Sequence, residues 1–300
     1  MYRDKIIKIL RLGRFHFLTA GFLTFTAGSL LAGILTGQFY LDKYLFGYLV
    51  LLPAHLSVSY SNDYFDWEAD HLLKPNLFTG GSGILVENPD LLKTSRNIAI
   101  SLILISLIMA TVFSLIYSSP FFLILAVFGN LLGWFYSAPP LKLSYRGMGE
   151  IAMTISGFII PALGFLAIAG FIDLRFVLFS IPQMIYQVVF ILSVELPDRK
   201  GDKIAGKNTF VVKFGADKSL FLILFASALG TISLFLLGLT GIYNDINFNL
   251  VTLFSLIPLT MGIYGYNKKF KDEIVEFTKY MVSSLILLIL LIDIYFLVIL

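Results

Sequence analysis

The chain has 300 residues, of which 58% are hydrophobic and only 14% charged, and its mean hydropathy is +0.87. Globular domains average about 45–50% apolar and about 25% charged residues; a soluble core of this size cannot hide the surplus, so lipid is the solvent over most of the chain. The absence of cysteine excludes thiolate metal sites and cysteine nucleophiles, and a net charge of +3, from 22 basic and 19 acidic residues, is too balanced for a nucleic-acid binder.

A helix needs about 20 apolar residues to cross the hydrocarbon core. Taken in chain order, that ruler predicts nine spans, over residues 15–38, 43–61, 97–118, 120–137, 151–172, 174–194, 218–241, 248–266 and 279–300. Only Ser118, Ser119 and Pro120 separate the third from the fourth, which marks a tight turn. The basic start resembles the head of a secretory leader, but the apolar run behind it is too long and carries no cleavage site. Basic residues concentrate in alternate loops. Arg3, Lys5, Lys8, Arg11 and Arg14 precede the first span, Lys74, Lys93 and Arg96 follow the second, and Lys142 and Arg146 follow the fourth. Arg199, Lys200, Lys203, Lys207, Lys213 and Lys218 follow the sixth, and Lys268, Lys269, Lys271 and Lys279 the eighth, leaving only Lys43 and Arg175 on the other side. By the positive-inside rule the N-terminus is cytoplasmic and the C-terminus outside. The expectation is a single all-α, multi-pass domain over residues 1–300 in the cell membrane. Acidic loops at 62–70 and 195–202, four spans apart, give a loose two-fold rhythm suggestive of duplication.

Those acidic loops carry the chemistry. The second span runs into Asn62-Asp63-Tyr64-Phe65-Asp66-Trp67-Glu68-Ala69-Asp70. Helical residues four apart turn through about 400°, so Asn62, Asp66 and Asp70 share a face about 80° wide, with Asp63 on its flank. The sixth span ends in Glu195-Leu196-Pro197-Asp198-Arg199-Lys200-Gly201-Asp202, a second carboxylate pair at the same spacing. Like charges so placed destabilise a helix, more so beside hydrocarbon, unless something offsets the repulsion. Magnesium fits, because it takes one or two carboxylates together with substrate phosphate oxygens. Two clusters on one side of the membrane suit a diphosphate held between magnesium ions. Solvated loops whose acids balance nearby lysines are the plainer alternative.

Asn62-x-x-x-Asp66-x-x-x-Asp70 together with Asp198-x-x-x-Asp202 resembles the paired aspartate-rich motifs of the UbiA-type intramembrane prenyltransferases. Phe78-Thr79-Gly80-Gly81-Ser82-Gly83, Tyr136-Ser137-Ala138-Pro139-Pro140, Gly147-Met148-Gly149-Glu150 and Ala205-Gly206-Lys207-Asn208-Thr209 also resemble loops of that family, in the same order. The resemblance covers nearly the whole chain and implies nine helices around a central cavity that opens laterally to lipid. It implies magnesium-dependent transfer of a prenyl group from an isoprenyl diphosphate to an aromatic acceptor within the membrane, with the active site toward the cytoplasm. On that reading Asp63, Asp66, Asp70, Asp198 and Asp202 are the metal ligands, Asn62 joins the diphosphate site, and Asp66 or Asp198 helps deprotonate the acceptor. The Gly-Gly-Ser-Gly loop and the Gly-Lys-x-Thr stretch are most similar to the branch that prenylates 1,4-dihydroxy-2-naphthoate. The regular spacing of Asp70 departs from that branch, where the third acid is often displaced, so a glycerol-phosphate lipid or haem acceptor stays open. So does a transporter of the same span count, although transporters tend to place coupling acids near the bilayer midplane, whereas here they sit at one face.

The diphosphate also needs cations. Lys142, Arg146, Arg199, Lys200 and Lys207 lie in the two loops next to the acids, and Arg14 stands at the mouth of the first span; each also satisfies the positive-inside rule. Pro197 disfavours α geometry at Leu196 and reads as the start of a short helix aimed at phosphate, or as a kink. His55 lies on the face of Asn62, about 10 Å deeper by the helix rise, and Gln187 on the face of Asp198. Both are candidates for the acceptor or prenyl pocket, with a helix–helix hydrogen bond as the alternative. Tyr136 and Tyr145, beside the Pro-Pro loop, complete the pocket candidates. His16, His55 and His71 have no zinc spacing, and Asp293, deep in the last span, has no sequence partner and stays outside the predicted site.

Overall fold

In lipid the backbone has no hydrogen-bond partner but itself, and long apolar runs therefore become helices. The computed structural model describes residues 2–71, 81–268 and 273–300; Lys74, Asn76, Phe78, Thr79, Gly80, Lys269 and Lys271 lie outside the described residues. A short amphipathic helix, α1 (Tyr2–Leu12), leads into α2 (Leu18–Thr36) and α3 (Leu41–Phe65), which is followed by the single turns α4 (Trp67–Asp70) and α5 (Ile84–Glu87). Then come α6 (Leu92–Tyr117), α7 (Pro120–Ser137), α8 (Gly149–Ala169), α9 (Leu174–Ile204), α10 (Phe210–Leu239), α11 (Phe248–Lys268) and α12 (Ile274–Ile299). Among the described residues there is no strand, and each of the nine predicted spans falls on one long helix.

Eight stretches are apolar and long enough to cross a membrane by length and composition. The long helix that fails this measure is α3, whose second half carries Ser57, Ser59, Ser61, Asn62 and Asp63, and those polar residues turn inward rather than to lipid. The helix ends differ from the predicted spans for a related reason. Thus α9 runs on past residue 194 to Ile204, because a polar sequence can extend a helix beyond the hydrocarbon, and α10 opens with a short turn from Phe210 that a kink at Gly215 (φ 85°) separates from the span itself.

Pro197 starts no new helix: α9 continues through it. A proline inside a helix leaves the carbonyl four residues earlier without its donor. Here that carbonyl, of Ser193, accepts instead from Thr278 Oγ1 of α12 at 2.7 Å. The vacated bond thus becomes a tie between two spans, which is how the fold carries a proline beside an active acid.

The packed core joins α2, α8, α9, α10, α11 and α12 through Phe165, Phe176, Phe179, Phe248, Phe277 and Phe296, all essentially inaccessible. A second cluster ties α3, α6, α7 and α8, with Phe113 stacked on Phe122 at 4.1 Å across the tight α6–α7 turn. Between these clusters lies a cavity of about 400 Å³, lined chiefly by α2, α3, α7, α8, α9 and α12. Among the described residues α10 and α11 contribute no lining residue and pack behind the helices that do.

Candidate active site

Both acid clusters meet at one end of this cavity. The chain bends after Phe65, yet Asp66 N donates to Asn62 O and Asp70 N to Asp66 O, each at 2.8 Å, so the four-residue register survives the bend. Asn62, Asp63, Asp66 and Asp70 all face the cavity, as do Asp198 and Asp202 from the last turns of α9.

Lys207 joins the two clusters. Its Nζ lies 3.4 Å from Asp66 Oδ2 and 3.3 Å from Asp202 Oδ1, and all three side chains are largely buried. Local sequence puts it there. Gly206 takes the left-handed conformation (φ 77°) after the end of α9, Gly206 N donates to Lys203 O, and Lys207 N donates to Asp202 O at 2.9 Å. This glycine stop folds the following residue back over the last helical turn. Burial opposes the charge on Lys207, but Asp66 and Asp202 outweigh it and hold the ammonium above the ordinary lysine range.

Asp66 is the most heavily held acid: besides Lys207 it accepts from Ser137 Oγ at 3.2 Å and Tyr145 OH at 3.0 Å. Burial first, and then that carboxylate, push the Tyr145 phenol up. Asp63 accepts from the amide of Ser82 at 3.2 Å. Asp70 packs so closely on Gly81 that a Cβ there would sit 2.1 Å from Asp70 Oδ2. Burial, then Asp63 and Asp66, push the Asp70 carboxyl up to about 8. Arg14 holds a left-handed conformation (φ 45°), stacks its guanidinium over Phe17 at 4.5 Å and faces Asp63, Asp70 and Asp198 from the cavity wall.

Of the six predicted diphosphate cations, then, Lys207 and Arg14 line the cavity. The other four do not. Lys142 sits 5.0 Å over the Tyr145 ring, Arg146 is exposed and donates to Pro140 O at 2.8 Å, Arg199 turns toward Gly215, and Lys200 is exposed. They are surface charges whose place the positive-inside rule explains. His55 and Gln187 do line the cavity, and each also packs on a neighbouring helix, at Gly21 and Gly157 respectively. Tyr136 lines it too, whereas Tyr145 reaches the site through its bond to Asp66. Asp293 is buried in α12 away from the lining. The spacing argument overlooked Ser82, Ser137, Glu150 and Glu195, whose places depend on tertiary packing.

The donor set suits a hard cation, being all oxygen. Asn62 Oδ1 is buried and accepts no hydrogen bond, and Asp202 Oδ1 meets the Lys207 ammonium at 3.3 Å. Yet among the described residues no three acidic or histidine side chains converge on a ready-made metal position. Lys207, Ser137 and Tyr145 hold Asp66 instead, so a cation here needs further oxygens from whatever it binds with.

The sequence profile of the UbiA prenyltransferase family matches residues 21–286. The chain belongs to this family. It is 26% identical over 236 residues to the 1,4-dihydroxy-2-naphthoate octaprenyltransferase of Bacillus subtilis (strain 168), an alignment that covers 77% of this chain and 73% of that one. Among solved structures, a UbiA homolog from Archaeoglobus fulgidus bound to GPP and Mg2+ superposes with a TM-score of 0.70 at 17% identity, covering 97% of this chain and 99% of that one. A structure described for digeranylgeranylglyceryl phosphate synthase in membranes gives 0.66 at 19% identity, covering 98% and 99%. The protein is thus an integral-membrane prenyltransferase with the UbiA fold, and its acid-lined cavity is the place to seek the transfer chemistry.

Proposed function

We propose that this UbiA protein transfers a prenyl group from an isoprenyl diphosphate to an aromatic quinone precursor, with Mg2+ as cofactor and the reaction at the cytoplasmic end of the cavity. One observation carries the reading: acids from the end of α3, α4 and the end of α9, with Arg14 ahead of α2 and Lys207 just past α9, close one end of a cavity whose remaining wall is largely apolar. A prenyl diphosphate has the matching polarity, a charged head on an apolar chain. The positive-inside count supports the cytoplasmic placement, and the Bacillus subtilis relative, whose acceptor is a dihydroxynaphthoate, supports the aromatic acceptor.

Bound with the diphosphate, Mg2+ supplies Lewis-acid charge neutralisation for the leaving group. Asn62, Asp63, Asp66, Asp70, Asp198 and Asp202 are the oxygens available to hold it. The rest falls to the chain's own groups. Arg14 and Lys207 stand on the cavity wall beside the acids and offer N–H donors to the phosphate oxygens, where negative charge grows as the allylic C–O bond lengthens. Ser137 and Tyr145 fix Asp66 so that its carboxylate need not reorganise. The apolar wall admits the prenyl chain and keeps water from the electron-poor carbon.

The test is direct. Purified protein should convert geranyl diphosphate and 1,4-dihydroxy-2-naphthoate to a prenylated product seen by mass spectrometry, only with Mg2+ present, and a chelator should stop it. A glycerol-phosphate lipid acceptor runs in parallel. Turnover with the lipid alone would overturn the aromatic reading, and no consumption of diphosphate with either would overturn the donor as well.

A further inference from the structure

We propose that Glu195 holds the hydroxyl group of the prenyl acceptor, and that Glu150 positions it; the inference rests on the function proposed above. Glu195 lies on α9 one turn before Asp198, on the cavity wall, about 4.5 Å deeper by the helix rise. It is nine-tenths buried, and its Oε2 has no hydrogen-bond donor. A carboxyl at that depth is costly unless something uses it. Asp63, Asp66 and Asp202, by contrast, each face a donor or a cation.

The carboxyl of Glu195 stands against another carboxyl, that of Glu150 at the start of α8. Glu150 is itself fixed by the backbone N–H of Phe210, at the start of α10. The pair is therefore anchored from two further helices while one of its members faces the cavity. The charged and titratable groups around Glu195 are Glu150, Asp202, Lys207 and the phenol of Tyr136. None of them is placed to bond its Oε2.

Position then names the ligand class. The reacting carbon of a prenyl diphosphate is bonded to its phosphate, so the group that attacks it must sit just deeper than the diphosphate. Glu195 is the carboxyl at that level. Both acceptor classes under consideration, a dihydroxynaphthoate and a glycerol-phosphate lipid, bring a hydroxyl, and an O–H donated to Glu195 would fix the nucleophile against the allylic carbon. The step proposed is binding alone and needs no further reactant.

Three substitutions test it: Glu195→Leu removes the group, Glu195→Asp draws the carboxyl back by one methylene, and Glu195→Gln keeps its reach and a carbonyl acceptor. With geranyl diphosphate and 1,4-dihydroxy-2-naphthoate, or the lipid acceptor where that supports turnover, Leu and Asp should raise the acceptor KM about tenfold or more, and Gln by no more than about threefold. Affinity for a prenyl thiodiphosphate with Mg2+ should stay within about twofold of the wild type in all three, which also shows that they fold. The aspartate variant keeps the test alive should the leucine variant not fold. Wild-type acceptor KM in the Leu and Asp variants, or a rise seen only together with lost thiodiphosphate affinity, would overturn the assignment while leaving the proposed function standing. If the wild type itself turned over neither acceptor, the function reading would fail and this inference with it.

Discussion

Lys207 is the point at which stability and function are most tightly coupled. Its ammonium sits 3.4 Å from Asp66 and 3.3 Å from Asp202, with side-chain exposures of 13%, 12% and 6% for the three groups. At an effective dielectric constant of about 20, charges at these distances attract by about 5 kcal/mol per pair. Much of this offsets the cost of stripping water from three charges. The net effect of deleting one partner from such a site is about 3–5 kcal/mol, because the other charges are left buried and unpaired. Lys207→Met should accordingly lower the melting temperature of the detergent-solubilised, ligand-free protein by on the order of 5–10 °C. The sign with pH follows from the raised value of the folded group. The contribution is complete below the ordinary lysine value of 10.5 and is lost only as pH rises above it, so the whole effect is present at neutrality. Adding Asp66→Asn should recover part of the loss, since it removes a carboxylate the lysine had been neutralising, with a coupling of about 1–3 kcal/mol in the double-mutant cycle. The methionine variant should also bind a prenyl thiodiphosphate about 10–100-fold more weakly in calorimetry, having lost a charge-assisted donor. A variant that melts like the wild type, or a double mutant no better than the single, would refute the claim that Lys207 holds the two clusters together.

Three further outcomes are expected. Gly81→Ala must place a Cβ at φ 63° and 2.1 Å from Asp70 Oδ2, so Mg2+-dependent thiodiphosphate affinity should fall about tenfold as Asp70 is pushed aside; unchanged affinity would separate that loop from the site. Asp70, raised to about 8 in the folded protein from 3.8, contributes stability that is complete below 3.8 and lost as pH rises through about 8, and a cation that binds it must displace its proton. Thiodiphosphate affinity with Mg2+ should therefore climb between about pH 6 and about pH 8, with proton release seen as a dependence of the calorimetric heat on buffer; a flat profile would remove Asp70 from the cation site. Because the chain has no cysteine, Met148→Cys and Asn208→Cys, both exposed, should react with an impermeant thiol reagent only from the cytoplasmic side and Thr240→Cys only from outside, and the opposite pattern would invert the topology.

The spans were legible in the sequence because hydrocarbon makes a demand that can be read along one dimension: a helix must be apolar for a set length. Even the failure of α3 to meet that demand was informative, since Ser59, Asn62 and Asp63 among its polar residues line the cavity. The four-residue repeat of acids was legible for the same reason, helical periodicity being local, and it survives the bend at Asp66. The cations were not. Six basic residues were candidates, and nothing about position in sequence separates a cation that obeys the positive-inside rule from one that reaches a carboxylate. The separating signal for Lys207 was nevertheless local. A glycine directly before it, just past the end of α9, is a helix stop that returns the next side chain to the final turn, and the final turn is where Asp202 stands.

Glu195 marks the opposite limit. Repetition draws attention to Asp198 and Asp202 because two acids at helical spacing are improbable in an apolar chain, and a single acid one turn earlier looks like part of the same run. What distinguishes it is that Glu150, 45 residues away in sequence, arrives beside it from another helix. That contact changes the chemistry of the position. The proposed diphosphate site has acids that face cations and whose protons a metal ion can displace to solvent, as charge neutralisation requires. One turn deeper, the carboxyls of Glu195 and Glu150 face one another at the level where the prenyl chain must lie. A carboxyl so placed still offers a hydroxyl somewhere to donate. The division between a charged end and a hydrogen-bonding level one turn deeper is what a reaction needs when it parts an allylic carbon from a charged leaving group and bonds that carbon to a nucleophile inside a membrane.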